Sequence, residues 1–323
     1  MVRIIPVFIP HEGCPHDCVF CNQRRIAAPV SPSPEDVREQ VCTAVHTAGA
    51  GAQVAFYGGS FTAIPRARQE AYLKAIADLP VTVRLSTRPD AIDSEVLTLL
   101  SHFPVETIEL GAQSMSDRVL ACSGRGHTAE DTRRASAQIQ KAGFSLILQA
   151  MCGLPEDGGT WVDTAREIAA LEPDGVRIYP VVVIRDTKLY DLWKAGQYTP
   201  LTPEEGAHAA ADMLEVFLRR RIPVIRIGLN PTQELSAGGA AAGAYHPALG
   251  EMARAQIYLR RMLACAGAVR EGVLTFYVNP NRISRALGIR KGNLEALRQL
   301  GYENVKVCGR EGLDEYEVES FWS

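Results

Sequence analysis

The sequence has no long apolar run and little excess of either charge. Among its 323 residues there is no stretch of about 18 uncharged apolar residues, and the chain opens on Val2-Arg3-Ile4 rather than on a basic segment with an apolar stretch behind it. The net charge is −3. We therefore expect a cytoplasmic protein with no membrane partner, in which any site for a polyanion is a local patch.

Cysteines are few and unevenly placed. Of eight, Cys14, Cys18 and Cys21 lie close together, and the other five are scattered at positions 42, 122, 152, 265 and 308. A disulfide framework spreads pairs through a short secreted chain, whereas one tight triplet in a chain of ordinary composition indicates metal. The scattered thiols are interpreted as buried small side chains or incidental ones.

What the sequence does contain is a regular alternation of short β-branched runs and longer amphipathic stretches. We predict six strands separated by helices, at 4–9, 53–57, 82–86, 107–110, 145–150 and 175–180, and one more at 224–227. Successive strand-helix units predict a parallel sheet, either doubly wound or curled into a barrel, with the active site in the loops after the strands. A soft boundary near 230 divides the chain into units 1–230 and 231–323, and the small-residue run 236–243 is interpreted as a flexible or closely packed loop.

The cysteine triplet follows the first strand with the spacing Cys-x3-Cys-x2-Cys. Three thiolates from one short loop can hold three irons of a cubane cluster and leave the fourth iron open to an external ligand. The alternative is zinc with His16 or a distant residue as fourth ligand, although structural zinc usually uses paired Cys-x2-Cys units. The triplet therefore predicts a 4Fe-4S cluster on Cys14, Cys18 and Cys21.

This spacing, with Phe20 before the last cysteine, resembles the radical S-adenosylmethionine (SAM) superfamily. The glycine pair in the loop after the second strand resembles the superfamily's loop for the amino group of SAM, and the loops after strands three to five continue the likeness. The resemblance implies a 4Fe-4S cluster and SAM as cofactors, in a partial (β/α)6 TIM-like barrel with a small α/β C-terminal extension. The residues that it assigns to SAM are Gly58, Gly59, Ser60, Ser86, Arg88, Gln113, Arg125, Met151, Gly153 and Leu154.

Each SAM assignment has a structural alternative. Ser86 could cap a helix, and Arg125 could form a surface ion pair. An arginine nevertheless suits the carboxylate of SAM, because its planar guanidinium donates two parallel hydrogen bonds.

The segment 178–198 decides the branch of the superfamily. It resembles the Elongator catalytic-subunit family, which acts on the wobble uridine of tRNA, and that resemblance covers residues 3–230. Within it Arg185, Lys188 and Tyr190 are candidate catalytic residues on the substrate side, with loop packing and surface charge as the alternative. The family of HemW and coproporphyrinogen oxidase ranks second, because its expected His-Asn-x-x-Tyr-Trp segment is missing.

The Elongator family carries an acetyltransferase domain, and the roughly 95 residues beyond 230 are too few for one. No glycine-rich loop for coenzyme A is recognisable there either. The sequence therefore predicts either a substrate related to that of the Elongator family or a separate acyl-CoA-binding partner.

The C-terminal part is predicted to contain two helices between two strands, over 274–308. This order resembles the minimal KH motif, in which a Gly-x-x-Gly turn clamps a nucleic-acid backbone, although here Lys291 stands at the second glycine position and Gly292 follows. Seven basic and two acidic residues between 279 and 310 give a local charge of +5. Arg290 and Lys291 are the candidate RNA-binding residues, and a solvated helical lid is the alternative.

Together these features predict an enzyme that cleaves SAM to a 5′-deoxyadenosyl radical, with tRNA as partner and a reductase, ferredoxin or flavodoxin as electron donor. Two alternatives stay open at this point. One is a radical SAM enzyme for a small molecule with a C-terminal lid. The other is a HemW-like carrier of haem or a cluster that binds SAM without turnover.

Overall fold

The fold is built on a sheet of seven parallel strands. A computed structural model of the chain describes residues 3–23, 30–48, 51–232, 235–268 and 271–323. The strands, in their order across the sheet, are β1 (Ile4–Phe8), β2 (Ala52–Tyr57), β3 (Val81–Thr87), β4 (Val105–Gln113), β5 (Ser145–Cys152), β6 (Gly175–Pro180) and β8 (Val224–Ile227). The predicted partial barrel is confirmed, and the strand predicted at 224–227 extends it beyond six units.

Helices cover the outer face of this half-barrel. They are α1 (Pro34–Ala48), α2 (Arg66–Ile76), α3 (Ser94–Ser101), α4 (Asp117–Cys122), α5 (Ala129–Lys141), α6 (Trp161–Ala170), α7 (Lys188–Lys194) and α8 (Pro203–Arg219). The sequence marks several helix starts, since Thr128 and Thr202 form capping boxes with Asp131 and Glu205 at the beginnings of α5 and α8. One large hydrophobic core lies between the helices and the outer face of the sheet.

The strands alternate sharply between their two faces. Val54, Phe56, Leu85 and Ile108 point into the outer core and are fully buried. Several side chains on the opposite face, among them Gln53, Arg84 and Glu109, are polar and face the lumen of the half-barrel, which is unusual because parallel sheets are commonly apolar on both faces.

The small-residue run forms regular structure rather than the expected loop. Leu235–Gly239 is a short π-helical turn, and Ala240–Gly243 is a strand, β9, that pairs antiparallel with β7 (Val182–Ile184). At Gly243, where φ is +95°, a Cβ would lie 2.8 Å from the carbonyl oxygen of Val181, so close backbone packing explains the small residues.

The C-terminal unit has a sheet of three strands. β10 (Leu274–Val278) pairs in parallel with β11 (Val305–Gly309) and antiparallel with β12 (Val318–Trp322), which was not predicted. Between β10 and β11 lie the two expected helices, α10 (Ile283–Leu287) and α11 (Gly292–Gln299).

A further long helix, α9 (Leu249–Cys265), joins the two units. It contributes Ala253 and Ile257 to the core of the half-barrel and Tyr258 and Met262 to the core of the C-terminal sheet. The boundary near 230 stays a prediction, although the last strand of the large sheet ends at Ile227. In the described part of the chain, no helix is both long enough and apolar enough to cross a membrane.

Candidate functional site

The cysteine loop leaves the carboxyl end of β1 and is held from two sides. The amide of Val19 donates to the carbonyl of Ser123 just after α4 (3.1 Å), and the carbonyl of Val19 accepts from the amide of Leu189 in α7 (2.7 Å). Cys14 is exposed, whereas Cys18 and Cys21 are partly buried, and all three are free thiols. The loop is thus anchored through its backbone, and its three thiols remain available to bind metal.

Polar side chains surround the three sulfurs. Arg125 Nη1 donates to Cys18 Sγ (3.2 Å), Gln23 Nε2 lies 3.6 Å from Cys21 Sγ, and Ser60 Oγ lies 3.5 Å from Cys14 Sγ. Burial, followed by the neighbouring Cys18, raises the pKa of the Cys21 thiol to about 12. Thiolates here need a strong positive partner, which iron supplies, so the donor set suits a cluster with hydrogen-bonded sulfurs.

The zinc alternative requires several ligands around one ion. Within the described ranges, no group of three or more His, Cys, Asp or Glu side chains is arranged to hold a metal ion, the cysteine triplet included, so the two alternatives differ here only in His16. His16, the proposed fourth ligand, instead lies against Gly126, where a Cβ would come within 2.2 Å of its Nε2. The glycine at 126, with φ at +74°, is therefore explained by the position of the His16 ring.

The glycine loop after β2 packs directly on the cysteine loop. The amide of Ser60 donates to the carbonyl of Glu12 (2.7 Å), and a Cβ at Gly59 would lie 2.5 Å from the carbonyl oxygen of Ile9. At Gly58 φ is +88°, and its carbonyl accepts from the amide of His11 (2.9 Å). Gly59 is therefore required for loop-to-loop contact, and the role of this loop toward SAM stays a prediction.

The buried polar atoms without a partner in the described residues include two at the carboxyl ends of β3 and β4 and one on the loop after α4. These three are Ser86 Oγ, Gln113 Oε1 and Arg125 Nε. Gln113 also sits at a β-bulge with φ at +64°, a conformation that is strained for any residue other than glycine. Buried donors and acceptors left open call for a polar ligand, and the hydroxyl, amino and carboxylate groups of SAM fit such a set.

Arg125 and Arg88 form a linked pair behind these atoms. Arg125 Nη2 donates to the carbonyl of Gly111 (2.7 Å), so its guanidinium spans from the cysteine loop to β4. Arg88 donates twice to Asp90 (both 2.9 Å) and once to the carbonyl of Arg125 (2.5 Å). Arg88 therefore holds Arg125 in place. Fewer of its N–H groups are left for the predicted contact with SAM.

The loop after β5 is fixed on both sides. The amide of Gly153 donates to Asp157 Oδ2 (2.9 Å), and its carbonyl accepts from Tyr198 Oη (2.5 Å). Leu154 is buried in a small apolar cluster with Val19, and Met151 packs against that cluster at its edge. These residues thus lie next to the cysteine loop, where their assignment to SAM requires them.

The three candidate substrate residues follow β7. Arg185 is exposed, donates through Nε to the carbonyl of Gly238 (2.9 Å) and lies over the ring of Tyr190, 5.8 Å from its centroid. Lys188 is exposed at the first position of α7. Tyr190 packs on Trp193, with ring centroids 5.8 Å apart. Arg185 and Tyr190 are thus brought together beside the cysteine loop.

A charged cluster in the lumen was missed from the sequence. Glu109 on β4 is fully buried and accepts hydrogen bonds from Arg84 on β3 (2.8 Å) and Arg177 on β6 (2.9 Å). The sequence did contain one signal for this cluster, namely polar residues at alternate positions of otherwise apolar strands. No single motif contains them, because each comes from a different strand.

Two family models match most of the chain. The model of the radical SAM superfamily matches residues 8–168, and that of the radical SAM C-terminal domain matches 173–261. A protein of Methanocaldococcus jannaschii, itself uncharacterized, is 30% identical over 229 residues, which are 63% of this chain and 68% of that protein. The chain belongs to the radical SAM superfamily. Members conventionally use a 4Fe-4S cluster and SAM.

Relatives of the radical SAM chain also bear on its branch. The tRNA uridine(34) acetyltransferase of M. jannaschii is 33% identical over 129 residues, covering 39% of this chain and 24% of the relative. The structure of archaeal Methanocaldococcus infernus Elp3 superimposes with a TM-score of 0.60 at 19% identity, over 83% of this chain and 64% of that one, and shows the fold alone. These likenesses agree with the Elongator-like branch named from segment 178–198, and the chain spans about a quarter of the acetyltransferase it matches.

We predict that the three clustered cysteines, and not the scattered ones, hold the iron. After anaerobic reconstitution the wild type should contain about four irons and four sulfides per chain, and Cys18→Ala should lose most of both, because its thiolate is an iron ligand. Iron and sulfide analysis with electron paramagnetic resonance measures this. Cys122→Ala removes an exposed thiol outside the triplet and should keep the full content. Equal iron in the two variants would contradict the assignment.

His127 gives a prediction for pH. It is 4% exposed, and burial, followed by the charges of Arg125 and Arg88, lowers its pKa to about 4. The unfolded chain binds this proton near pH 6.5, so stability is lost as the pH falls from about 6.5 to 4, by up to about 3 kcal/mol. The free energy of unfolding in urea should therefore fall less on acidification for His127→Gln than for wild type. His102→Gln, at an exposed position, should keep the wild-type pH dependence, and an unchanged dependence in His127→Gln would refute the prediction.

Proposed function

We propose that this protein is a radical SAM enzyme that modifies a uridine of tRNA. The observation that carries the proposal is the bridge made by Arg125, which joins Cys18 of the cysteine loop to the bulged end of β4, where buried polar atoms lack partners. A cluster site and a SAM site are thereby adjacent, as the chemistry requires. The tRNA part is supported by the likeness to the tRNA uridine(34) acetyltransferase, which extends over 24% of that protein.

When bound, the cluster supplies the electron that cleaves SAM to methionine and a 5′-deoxyadenosyl radical. The protein's part is to hold and orient the reacting groups and to exclude water. Cys14, Cys18 and Cys21 would hold the cluster, and Arg125 would stabilise the charge on the Cys18 sulfur through its hydrogen bond. Ser86 and Gln113 would take up the polar groups of SAM.

The substrate side is assigned to α7 and the residues before it. The aromatic pair Tyr190 and Trp193 is partly exposed, with Arg185 over the tyrosine and Lys194 over the tryptophan. RNA-binding proteins stack unpaired bases on such aromatic and cationic groups. Because α7 is hydrogen-bonded to the cysteine loop through Leu189, a base stacked here would lie close to the cluster.

The C-terminal unit is assigned to the RNA backbone, on a smaller basic surface than the sequence implied. Four of the seven basic residues have acidic partners: Arg282 pairs with Glu315, Arg285 with Glu251 and Glu315, Arg298 with Glu295 and Arg310 with Glu319. Arg290 and Lys291 are exposed and have no acidic partner in the described residues. Both adopt positive φ, 51° and 62°, in the turn between α10 and α11. Holding two adjacent charged residues in this strained conformation favours a role in binding.

Two partners complete the proposal. An external reductase, ferredoxin or flavodoxin would deliver the electron, and a separate acyl-CoA-binding protein would supply the acyl group where the product carries one. The second partner is proposed because the likeness to the acetyltransferase relative covers 24% of that protein.

We predict that cells lacking this protein lose one modified uridine from their tRNA. Wild-type protein should restore it, Cys18→Ala should not, and the double variant Arg290→Ala, Lys291→Ala should restore it weakly, since two phosphate contacts are removed. Mass spectrometry of tRNA nucleosides measures this, and binding of bulk tRNA to the purified proteins at two salt concentrations measures the RNA contact.

Arg298→Ala serves as the matched control, because this arginine lies on α11 but is paired with Glu295. It should behave as wild type in both assays. An unchanged nucleoside profile in the deletion strain would contradict tRNA as the substrate. Salt-independent tRNA binding, or equal binding by the double variant and the control, would remove the C-terminal unit from the RNA site.

A further inference from the structure

The charged residues of the lumen lie one layer below the loops assigned to SAM. Side chains two positions apart on a strand share a face, so Arg84 lies one step below Ser86, Glu109 one step below Gly111, and Arg177 one step below Tyr179. With Arg226 on β8 these residues form what we call the lumen cluster: Arg84, Glu109, Arg177 and Arg226. The proposed function gives this cluster no role.

Glu109 is the single acid of the cluster, and its carboxylate is saturated. It accepts from Arg84 Nη1 (2.8 Å), Arg177 Nη2 (2.9 Å), Tyr57 Oη (3.1 Å) and Gln149 Nε2 (3.0 Å). Burial opposes its ionisation, but the charges and hydrogen bonds of the two arginines outweigh it and hold the pKa of Glu109 below its usual range. Glu109 is therefore charged, and it orients Arg84 and Arg177 toward each other.

Arg226 adds a third guanidinium without adding an acid. It stands in register with Arg177 across the pairing of β6 with β8, so the two like charges are cross-strand neighbours. Burial and the charge of Arg177 lower the pKa of Arg226. Its Nε donates to the carbonyl of Gly228 (3.0 Å), and no acidic side chain pairs with it in the described ranges. Three cations thus face one carboxylate.

Two of the three guanidinium groups lie in a largely enclosed region, and the third, on Arg226, is partly buried. The side chains of Arg84 and Arg177 are 16% and 14% exposed, and Arg177 Nε is buried with no partner among the described residues. Burying unpaired charge is costly unless an opposite charge is supplied. SAM carries one carboxylate, one ammonium and one sulfonium, and so brings no net negative charge to offset the surplus.

We propose that the lumen cluster binds an anionic group, a carboxylate or a phosphate, of the molecule that reacts inside the half-barrel. Arg226 and the free Nε side of Arg177 contact the anion, while Arg84 is held in place by Glu109 and by Gln53 (2.7 Å). A guanidinium fork suits either anion, since both present paired oxygens. This inference rests on the proposed function and adds to it a requirement for the chemical class of the substrate or co-substrate.

The test is calorimetric titration of the cluster-loaded, SAM-saturated protein, under anaerobic conditions, with acetate, inorganic phosphate and uridine 5′-monophosphate. We expect saturable binding of at least one probe and about tenfold weaker binding by Arg226→Gln, which loses the contacting charge. Arg219→Gln is the matched control, because this arginine is exposed on α8 outside the lumen, and it should bind as wild type. Preference for acetate identifies a carboxylate co-substrate, and preference for the phosphate probes identifies a nucleotide or phosphate ester.

A second variant changes the charge in the opposite direction. Glu109→Gln removes the competing carboxylate and should tighten probe binding, whereas a purely structural ion-pair network would give no probe binding in any variant. Absence of saturable binding in wild type, or equal affinity of Arg226→Gln and Arg219→Gln, overturns the anion site. Because binding is measured without turnover, that failure is distinct from failure of the proposed function, which the tRNA nucleoside profile decides.

Discussion

Arg125 is the residue on which the arrangement of the site depends. Its guanidinium donates to the sulfur of Cys18 and to the carbonyl of Gly111, and its own carbonyl is held by Arg88. The cysteine loop has little secondary structure, so its position is set by such contacts and by the backbone bonds of Val19. Through Arg125 the cluster ligands are placed at the carboxyl ends of the central strands, which is where parallel αβ folds build active sites.

The second constraint is the difference in polarity between the two faces of the sheet. The outer face is mostly apolar and packs under the helices, which supplies the hydrophobic stabilisation of the fold. The lumen face can therefore carry polar and charged side chains at fixed positions of rigid strands. This combination places open hydrogen-bonding groups near the strand ends and, one layer below, a cationic cluster whose charge the described residues do not balance.

The sequence predicted these features unevenly, for physical reasons. Strand and helix positions followed from periodicity, and β6 (Gly175–Pro180) was predicted to the residue. The triplet spacing predicted the cluster loop because its ligands are local in the chain. The lumen cluster could not be predicted, since Arg84, Glu109 and Arg177 lie on three strands and meet only after the sheet forms. The basic surface near Arg290 was overestimated for a similar reason. Glu251 and Glu315, which pair with Arg285, are distant from it in sequence, and Glu319, which pairs with Arg310, lies outside the segment counted.

The central claim is that this chain holds a cluster and SAM next to each other in a reactive arrangement. The most direct measurement is the yield of 5′-deoxyadenosine and methionine after the reconstituted protein is reduced with dithionite in the presence of SAM, without oxygen. The account predicts that both products form in equal amounts and that Cys18→Ala forms neither. A wild-type protein with about four irons per chain that forms no 5′-deoxyadenosine would contradict it.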